Sequence, residues 1–177
     1  GDTLGGVVEV IAYGVPAGIG SHVHWDRRLD ARLAGALISI PAVKGVEVGD
    51  GFTFAAQRGS QAQDPIGFDE AGFTRAGNRA GGIEGGISNG KPIRLRAAMK
   101  PLPSLGRPLP TVDVVTKQPT MAFRQRGDVC AVPAAGVVAE QMVAWVLAAE
   151  MTRSFGGDTL EDFRRRVDDH RAFLAGF

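Results

Sequence analysis

The chain has 177 residues with 20 Lys and Arg against 19 Asp and Glu, so its formal net charge is +1. This length fits one domain with a sizeable core, and the 44% share of hydrophobic residues excludes a disordered tail or a wholly basic nucleic-acid binder. The single cysteine, Cys130, excludes an internal disulfide and a cysteine-based zinc site, which predicts a cytoplasmic protein.

The first half of the chain predicts two strands and one helix. β-branched and aromatic residues from Val7 to Tyr13 are typical of a strand. This run is interrupted by a glutamate and lacks a basic leader, so we expect neither a signal peptide nor a membrane-spanning helix. A helix is predicted from an N-cap at Asp26 to a stop at Pro41. A short strand at Val46–Val48 follows, and residues 49–73 predict a long functional or mobile loop.

The second half predicts strands followed by long helices. Ile93–Ala97 alternates apolar and basic residues as a strand does. Val112–Thr116 and Met121–Arg126 flank a Lys-Gln-Pro turn and indicate a hairpin. The run Val137–Phe155 is apolar on nearly every side and predicts a buried helix, with Pro133 in its first turn.

A last helix is predicted after the Gly156-Gly157 pair. Asp158 and Glu161 resemble a capping box at its start, and its apolar stripe includes His170. No internal repeat or linker is visible, so residues 1–177 are interpreted as a single α+β domain with long helices against antiparallel strands.

Positive charge is concentrated in one window of the sequence. Residues 75–126 hold ten basic residues against two acidic ones, and the first part of this stretch, up to Gly90, is rich in glycine. Glycine lets backbone N–H groups approach an anion, and arginine donates paired hydrogen bonds to phosphate or carboxylate, so a phosphorylated or polycarboxylate ligand is one interpretation. A solvated cationic sheet face is the other. Nucleic acid is disfavoured because the window has only two aromatic residues, Phe73 and Phe123.

Two catalytic motifs match these glycines but fail on their context. Gly85, Gly90 and Lys91 begin a P-loop pattern, yet Pro92 stands where serine or threonine is required. The nucleophile-elbow pattern around Ser88 lacks the apolar strand that should precede it and the helix that should follow it.

Three further candidate groups are weak. His22, His24 and Asp26 suggest a metal site but no further ligand is evident, so an ordinary loop is favoured. Cys130 stands among apolar residues, where we expect a buried, inert thiol. His170 is assigned to the apolar stripe of the last helix.

Several segments together resemble chorismate synthase, and they occur in the order that this family has them. They are Gly1-Asp2-Thr3-Leu4-Gly5-Gly6, Asp26-Arg27-Arg28-Leu29-Asp30, Ala42-Val43-Lys44-Gly45-Val46-Glu47-Val48-Gly49, Asn78-Arg79-Ala80-Gly81-Gly82-Ile83-Glu84-Gly85-Gly86-Ile87-Ser88-Asn89-Gly90, Lys100-Pro101 and Arg126-Gly127-Asp128-Val129-Cys130-Ala131-Val132-Pro133. The resemblance covers only the C-terminal half of that enzyme. It implies part of a β-α-β sandwich, with long helices between antiparallel sheets.

The resemblance also implies a reaction and its cofactor. Chorismate synthases eliminate phosphate from 5-enolpyruvylshikimate 3-phosphate, a 1,4-anti elimination that gives chorismate in the shikimate pathway and needs reduced FMN. It implies a cytoplasmic homotetramer that binds neither nucleic acid nor membrane, and it leaves open whether NADPH or an external reductase reduces the flavin. The positive window fits such a ligand set, because FMN and substrate bring two phosphates and two carboxylates.

The site residues are carried over from the family's motifs position by position. Asp128 matches an acidic catalytic residue beside the flavin ring. Positions that match flavin-contacting segments are Pro41, Ala42, Gly85, Lys100, Pro101, Leu102, Pro103, Ser104 and Arg126.

This chain departs from the family pattern at Pro103 and Ser104 and at Gly127. The first departure removes a hydroxyl and an N–H near the flavin, and the second replaces a serine. The family's catalytic histidines match none of the three histidines here, so we expect the chain alone to be inactive. A non-catalytic module that binds flavin or a phosphorylated ligand beside a separate N-terminal half remains the alternative.

Overall fold

A computed structural model of the chain describes residues 1–70, 72–124 and 127–176. Strands and helices alternate irregularly along it, with two 3₁₀ turns at Trp25–Arg27 and Gly51–Ala56. The elements in chain order are β1 (Gly6–Ala12), α1 (Leu29–Ile38), β2 (Val43–Val48), α2 (Gly59–Ala62), β3 (Ile66–Asp69), β4 (Gly72–Arg75), β5 (Ile83–Glu84), β6 (Ile87–Ser88), β7 (Ile93–Met99), β8 (Pro110–Val112), β9 (Pro119–Met121), α3 (Val132–Phe155) and α4 (Leu160–Ala175).

The core is a three-stranded antiparallel sheet in the order β1-β7-β2, covered on one face by α1 and α3. The central strand β7 alternates buried and outward residues, so Ile93, Leu95 and Ala97 pack inward while Arg94 and Arg96 point away. Leu29, Leu33 and Leu37 of α1 are fully buried at the same interface. This arrangement confirms the α+β class and the strand predicted at Ile93–Ala97.

The helix α3 is buried on one face only, which corrects the prediction of an all-round buried helix. Ala139, Val143 and Leu147 pack inward, whereas Val137 and Trp145 are exposed. Its length and composition would also let α3 cross a bilayer, a property that core helices share. The contacts of α3 with β1 and α1 favour a core helix.

Residues 49–73 are not a plain loop. They hold the second 3₁₀ turn, α2, β3 and the start of β4, and the Phe68 and Phe73 rings meet edge-on across the β3–β4 hairpin at 5.1 Å. The sequence analysis also missed the small β5–β6 hairpin, because two-residue strands carry too little periodicity to detect.

Both predicted helix caps are wrong by one or more residues. The helix α1 begins at Leu29, after a 3₁₀ turn that contains Asp26, and its N-cap is Arg28. The helix α4 is capped by Thr159, whose Oγ1 accepts a hydrogen bond from the Asp162 N–H at 3.1 Å. A hydroxyl in the correct position satisfies the first turn of α4, so Asp158 is not needed.

The β8–β9 hairpin is shifted relative to its prediction. Its strands pair Pro110 with Met121 and Val112 with Pro119, so the turn lies at residues 113–118. The Asp113 carboxylate accepts the Val115 and Thr116 N–H groups at 2.9 and 2.7 Å, which places the turn earlier than the Lys-Gln-Pro sequence suggested. Part of the second predicted strand, Gln125 and Arg126, lies outside the described residues.

Candidate functional site

The candidate site lies at the end of the sheet where β7 leaves it. The Ala42 carbonyl accepts the Lys100 N–H at 2.9 Å, which joins the segment after α1 to the segment after β7. Ala42 has φ +69°, a left-handed conformation that costs a residue with a Cβ about 1–2 kcal/mol. Such strain is concentrated at functional sites, and Ala42 is one of the predicted flavin contacts.

Residues 100–104 are held from the opposite side by the start of the chain and by the segment before α3. Thr3 Oγ1 donates to the Leu102 carbonyl at 2.7 Å, and the Leu4 N–H donates to the Val129 carbonyl at 2.8 Å. A Cβ added at Gly127 would lie 3.3 Å from Ser104 Cβ. The structure therefore brings together the predicted positions around Ala42, Lys100–Ser104 and Asp128.

Asp128 is exposed, and it directly precedes the segment that leads into α3. The helix α3 begins at this end of the sheet. Gly6 pairs with Met99 at the end of β7, and a Cβ added at Gly6 would lie 3.0 Å from the side chain of Val132, the first residue of α3. Its N-cap is Ala131, so no side chain at this position caps the first N–H groups of the helix. The partial positive charge of a helix N-terminus favours anions here.

The cations of the window divide into paired and unpaired sets. Arg94 pairs with Asp50, Arg96 pairs with Glu47 at 2.9 Å, and Arg75 pairs with Glu84 at 2.7 Å. Within the window, no ion pair with a described residue is formed by Lys91, Lys100, Arg107, Lys117 or Arg124, and outside it Lys44 forms none either. The Arg107 N–H donates to the Gly1 carbonyl, which places it near Thr3 and Leu102. Part of the uncompensated positive charge, from Lys44, Lys100 and Arg107, is thus at the same end as Ala42, while Lys91 lies at the far end of β7.

Part of the glycine-rich motif serves close packing. Two of its N–H groups are engaged inside the protein: Ala80 donates to Asp64 Oδ2 at 3.0 Å and Asn89 to the Gly82 carbonyl at 2.9 Å. A Cβ at Gly82 would lie 2.6 Å from the Pro92 carbonyl oxygen. Glycine is required at position 82 for close backbone approach, whereas anion binding by the other glycines stays a prediction.

Gly85 is not brought to the Ala42 end. It forms the two-residue turn of the β5–β6 hairpin with Gly86, and both have positive φ, +60° and +85°. The Gly86 carbonyl accepts the N–H of Leu29 at the start of α1, whereas Ala42 follows the end of this helix. The ten-residue α1 separates the two places by about 15 Å. Arg126 lies outside the described residues.

The side chain next to this turn is also fixed. Arg28 Nε and Nη2 donate to the Asp30 carboxylate at 3.0 and 2.5 Å, and this hydrogen bond raises the pKa of the Arg28 guanidinium. The Arg28 side chain thereby stays against Gly86, where it fills the space that a Cβ would need.

The alternative catalytic groups do not form a site. Ser88 is buried, and its hydroxyl donates to the Pro16 carbonyl at 2.5 Å and accepts the Ile19 N–H at 2.8 Å. His170 Nε2 lies 2.9 Å from the Ala17 carbonyl oxygen, and its ring packs on Phe155. Both contacts stabilise the loop after β1 and occupy the Ser88 hydroxyl and the His170 Nε2.

Metal binding and thiol chemistry receive no support from the described part of the chain. Within it, no group of three or more His, Cys, Asp or Glu side chains is placed to hold a metal ion. Cys130 is exposed, which corrects the prediction of a buried thiol. It pairs with Leu4 in an isolated parallel bridge, so the backbone there lies at the surface.

Two contributors to this sheet end were missed by the sequence analysis, Thr3 and Lys44. Thr3 acts through a hydrogen bond to residue Leu102, a contact between distant parts of the chain that no local pattern shows. Lys44 lies in a β-bulge, and the glycine that follows it was the available signal.

Comparison with known proteins agrees with the sequence resemblance. The family model described as chorismate synthase matches residues 1–152. The chain is 62% identical to a chorismate synthase of Moorella thermoacetica over 175 residues, which is 98% of this chain and 46% of the relative. It is 64% identical to one of Thermobifida fusca over 167 residues, 94% of this chain and 42% of the relative. A crystal structure of a chorismate synthase superimposes with a TM-score of 0.84 at 44% identity, covering 100% of this chain and 46% of the other.

Proposed function

Since this chain belongs to the chorismate synthase family, we propose that it forms the flavin-binding part of an enzyme that eliminates phosphate from 5-enolpyruvylshikimate 3-phosphate to give chorismate. The chain spans about half the length of the curated relatives it matches. The full activity therefore belongs to the longer protein, and this chain contributes its share of the site.

One observation carries the proposal: Ala42, Lys100–Ser104 and the segment around Asp128 meet at a sheet end with unpaired cations. This end fits FMN because a flavin phosphate needs fixed positive charge, and because a strained backbone at Ala42 is typical of a ligand contact. FMN would fit here because of the positive charge and the backbone conformation of these residues. Contacts between distant parts of the chain hold them in place.

The proposed roles follow from the atoms that these residues offer. The Lys100 ammonium and the guanidinium of Arg126 would bind phosphate, and the backbone around Ala42 and residues 101–104 would orient the flavin ring. When bound, reduced FMN would supply electron density as the substrate phosphate leaves. The Asp128 carboxylate, beside Gly127, would orient or relay a proton.

The two departures from the family pattern act at this same place. A Cβ at Gly127 would meet Ser104 Cβ at 3.3 Å, so the glycine lets residues 100–104 and the segment before α3 pack closely. Pro103 donates no N–H. We propose that this chain holds the flavin with one backbone hydrogen bond fewer than its relatives.

We further propose that the chain alone does not turn over substrate. His170 is engaged with the loop after β1, and His22 and His24 lie in the exposed loop before α1, so none of them is at the candidate site. The cytoplasmic homotetramer and the source of flavin reduction, NADPH or an external reductase, belong to the proposal for the complete enzyme.

The test is anaerobic titration of the purified chain with reduced and oxidised FMN, followed by flavin absorbance and fluorescence. Saturable binding is expected, with affinity about tenfold weaker in Arg126→Ala because one charge-assisted contact to phosphate is lost. Arg165→Ala, on the exposed face of α4, is the matched control. The absence of saturable binding would contradict a flavin platform in this half.

A non-catalytic module that acts with a separately encoded N-terminal half is the second candidate. The observation behind this candidate is that the chain covers only 42–46% of the length of these relatives. The DNA upstream of Gly1 distinguishes the two, since an in-frame N-terminal half supports the enzyme and a start codon supports the module.

A further inference from the structure

The start of β2 contains two backbone irregularities within three residues. Ala42 has φ +69°, and the pairing of β2 with β7 shifts register between Val43 and Gly45. Lys44 is therefore an extra residue without a partner on β7. A β-bulge re-aims the side chain it carries, and bulges are over-represented next to active sites.

The neighbours of Lys44 fix the direction of the strand around it. Val43 is buried in the core at 4% exposure, and a Cβ at Gly45 would lie 3.7 Å from Ala98 Cβ on the opposite face of the sheet. Lys44 is exposed between them. A regular register would have no room for an extra residue here, so the bulge is what presents a lysine at this sheet end.

The charges around Lys44 are not balanced by acids. Lys100 lies alongside, because its N–H donates to the Ala42 carbonyl at 2.9 Å. Neither lysine has a carboxylate oxygen within 4.0 Å among the described residues. Farther along β7 each arginine forms an ion pair with a carboxylate in or just after β2: Arg96 with Glu47, and Arg94 with Asp50.

We propose that Lys44 binds a phosphate monoester dianion together with Lys100. A dianion between two like charges removes their repulsion and accepts hydrogen bonds from both ammonium groups. This inference rests on the proposed function, and the phosphate is that of the flavin or that of the substrate. β2 is an edge strand, where a lysine and a bulge also protect the free edge, so the binding measurements below decide between the two roles.

The first arm of the test compares FMN with riboflavin, which has the same ring and no phosphate. The wild-type chain should bind FMN about tenfold more tightly than riboflavin, and Lys44→Gln should remove most of this difference while its riboflavin affinity stays the same. Lys44→Arg should retain FMN affinity within about threefold, because the positive charge is kept. Lys91→Gln, which removes the same charge at the far end of β7, should leave both affinities unchanged.

The second arm uses inorganic phosphate and 5-enolpyruvylshikimate 3-phosphate, titrated by calorimetry. If Lys44→Gln weakens these two and leaves FMN unaffected, the bound phosphate is that of the substrate. If it weakens FMN and not the substrate, the phosphate is that of the flavin. Thermal unfolding within about 2 °C of wild type, the effect of a small change in stability, confirms that each variant is folded.

The outcomes separate the two proposals. A chain that binds phosphate through Lys44 but binds no flavin overturns the flavin platform and keeps this inference. A chain that binds FMN equally well with lysine or glutamine at position 44, and whose phosphate affinity is also unchanged, overturns this inference alone. A chain that binds none of the four probes overturns both.

Discussion

At the scale of single residues, the Gly85-Gly86 turn offers a matched pair of substitutions. Both glycines have positive φ, but a Cβ at Gly85 meets nothing within 4 Å, whereas one at Gly86 lies 2.7 Å from the Ser21 carbonyl oxygen. Gly85→Ala should lower the free energy of unfolding by about 1 kcal/mol, the cost of a left-handed alanine. Gly86→Ala should lower it by about 3 kcal/mol, because overpacking is added. Urea unfolding measures both.

The two variants control for each other, since they share the backbone strain and differ only in the space around the added methyl group. Equal losses of stability would show that the Gly86 environment yields to a Cβ. The packing role assigned to the glycine motif would then be wrong at this turn.

Asp113 gives a prediction on pH. Hydrogen bonds from the Thr116 N–H, the Thr116 hydroxyl and the Val115 N–H lower the pKa of the Asp113 carboxyl below its ordinary value. Because the folded pKa is lowered, the contribution to stability is present above the ordinary aspartate pKa of about 3.9 and is lost as the pH falls through the folded pKa. An NMR titration of the Asp113 carboxyl carbon should show a midpoint below that of a model peptide.

The same titration should report the turn itself. The Val115 and Thr116 amide signals should move with the Asp113 midpoint in the wild type and show no such transition in Asp113→Asn, which does not titrate. An Asp113 midpoint at the ordinary value would contradict the hydrogen-bonded turn.

Individual charges show where sequence reasoning ends. The sequence analysis counted the cations correctly, but it could not tell which ones are neutralised. Arg94 and Asp50 are 44 positions apart, and Arg96 and Glu47 are 49 apart. Pairing across strands depends on register, and register depends on the bulge at Lys44, so the free cations became visible only in the fold.

At the scale of elements, α1 and α3 are joined by a buried acid. Glu150 of α3 is fully buried and pairs with Arg32 of α1 and with Arg153 at 3.0 Å. The Arg32 and Arg153 side chains are 36% and 45% exposed, so their charges stay solvated when the carboxylate is removed. Glu150→Ala should lower the free energy of unfolding by about 1–3 kcal/mol, because charge-assisted hydrogen bonds between the two helices are lost. Chemical denaturation measures this loss.

Glu140→Ala is the control on the same helix, because Glu140 is exposed and its loss should change stability by no more than about 0.5 kcal/mol. If Glu150→Ala were as mild as this control, Glu150 would not join the two helices. The ion pair would then be incidental to the packing of the leucine side chains of α1.

Elements with long periodic patterns were predicted correctly, including the end of α3 at Phe155, but the N-caps of α1 and α4 were not. The stripe from Leu29 to Leu37 identified α1, yet its cap was misassigned because the 3₁₀ turn at Trp25–Arg27 intervenes. The burial of α3 was overestimated for a different reason. An apolar surface in the sequence does not say whether this chain or another segment covers it.

At the scale of the whole molecule, the uncovered face of α3 predicts association. Val137 and Trp145 are 63% and 75% exposed on one side of this helix, and a groove of about 420 Å³ lies between α3 and β1. Exposed apolar surface on a helix promotes self-association. Sedimentation velocity should show concentration-dependent oligomers or aggregates.

Trp145→Glu should shift the distribution toward monomer, because it places a charge in the centre of this face. Phe52→Glu, at a distant exposed aromatic residue, is the control and should leave the distribution unchanged. A monodisperse wild-type monomer that melts cooperatively would contradict this prediction.

The α+β class and the family were predictable for the whole molecule, while the strand order was not. Pairing of β7 with β1 and β2 joins residues such as Ile93 and Ala12, which no local pattern connects. The meeting of Ala42, Lys100 and Gly127 depends on that pairing. The motifs therefore supplied the proposed site residues, and only the topology showed which of them meet at one end of the sheet, with Gly85 near the other end of α1.

The central position of β7 has a consequence for the chain as it is synthesised. Both β1 and β2 leave the ribosome before the strand that pairs with them, and at roughly 5–20 residues per second β1 waits several seconds for its partner. During this delay the apolar side chains of β1 are open to wrong partners. Trigger-factor-like holdases that bind nascent strands would be most useful in this interval, and silent codon changes that slow translation between β2 and β7 would lengthen it.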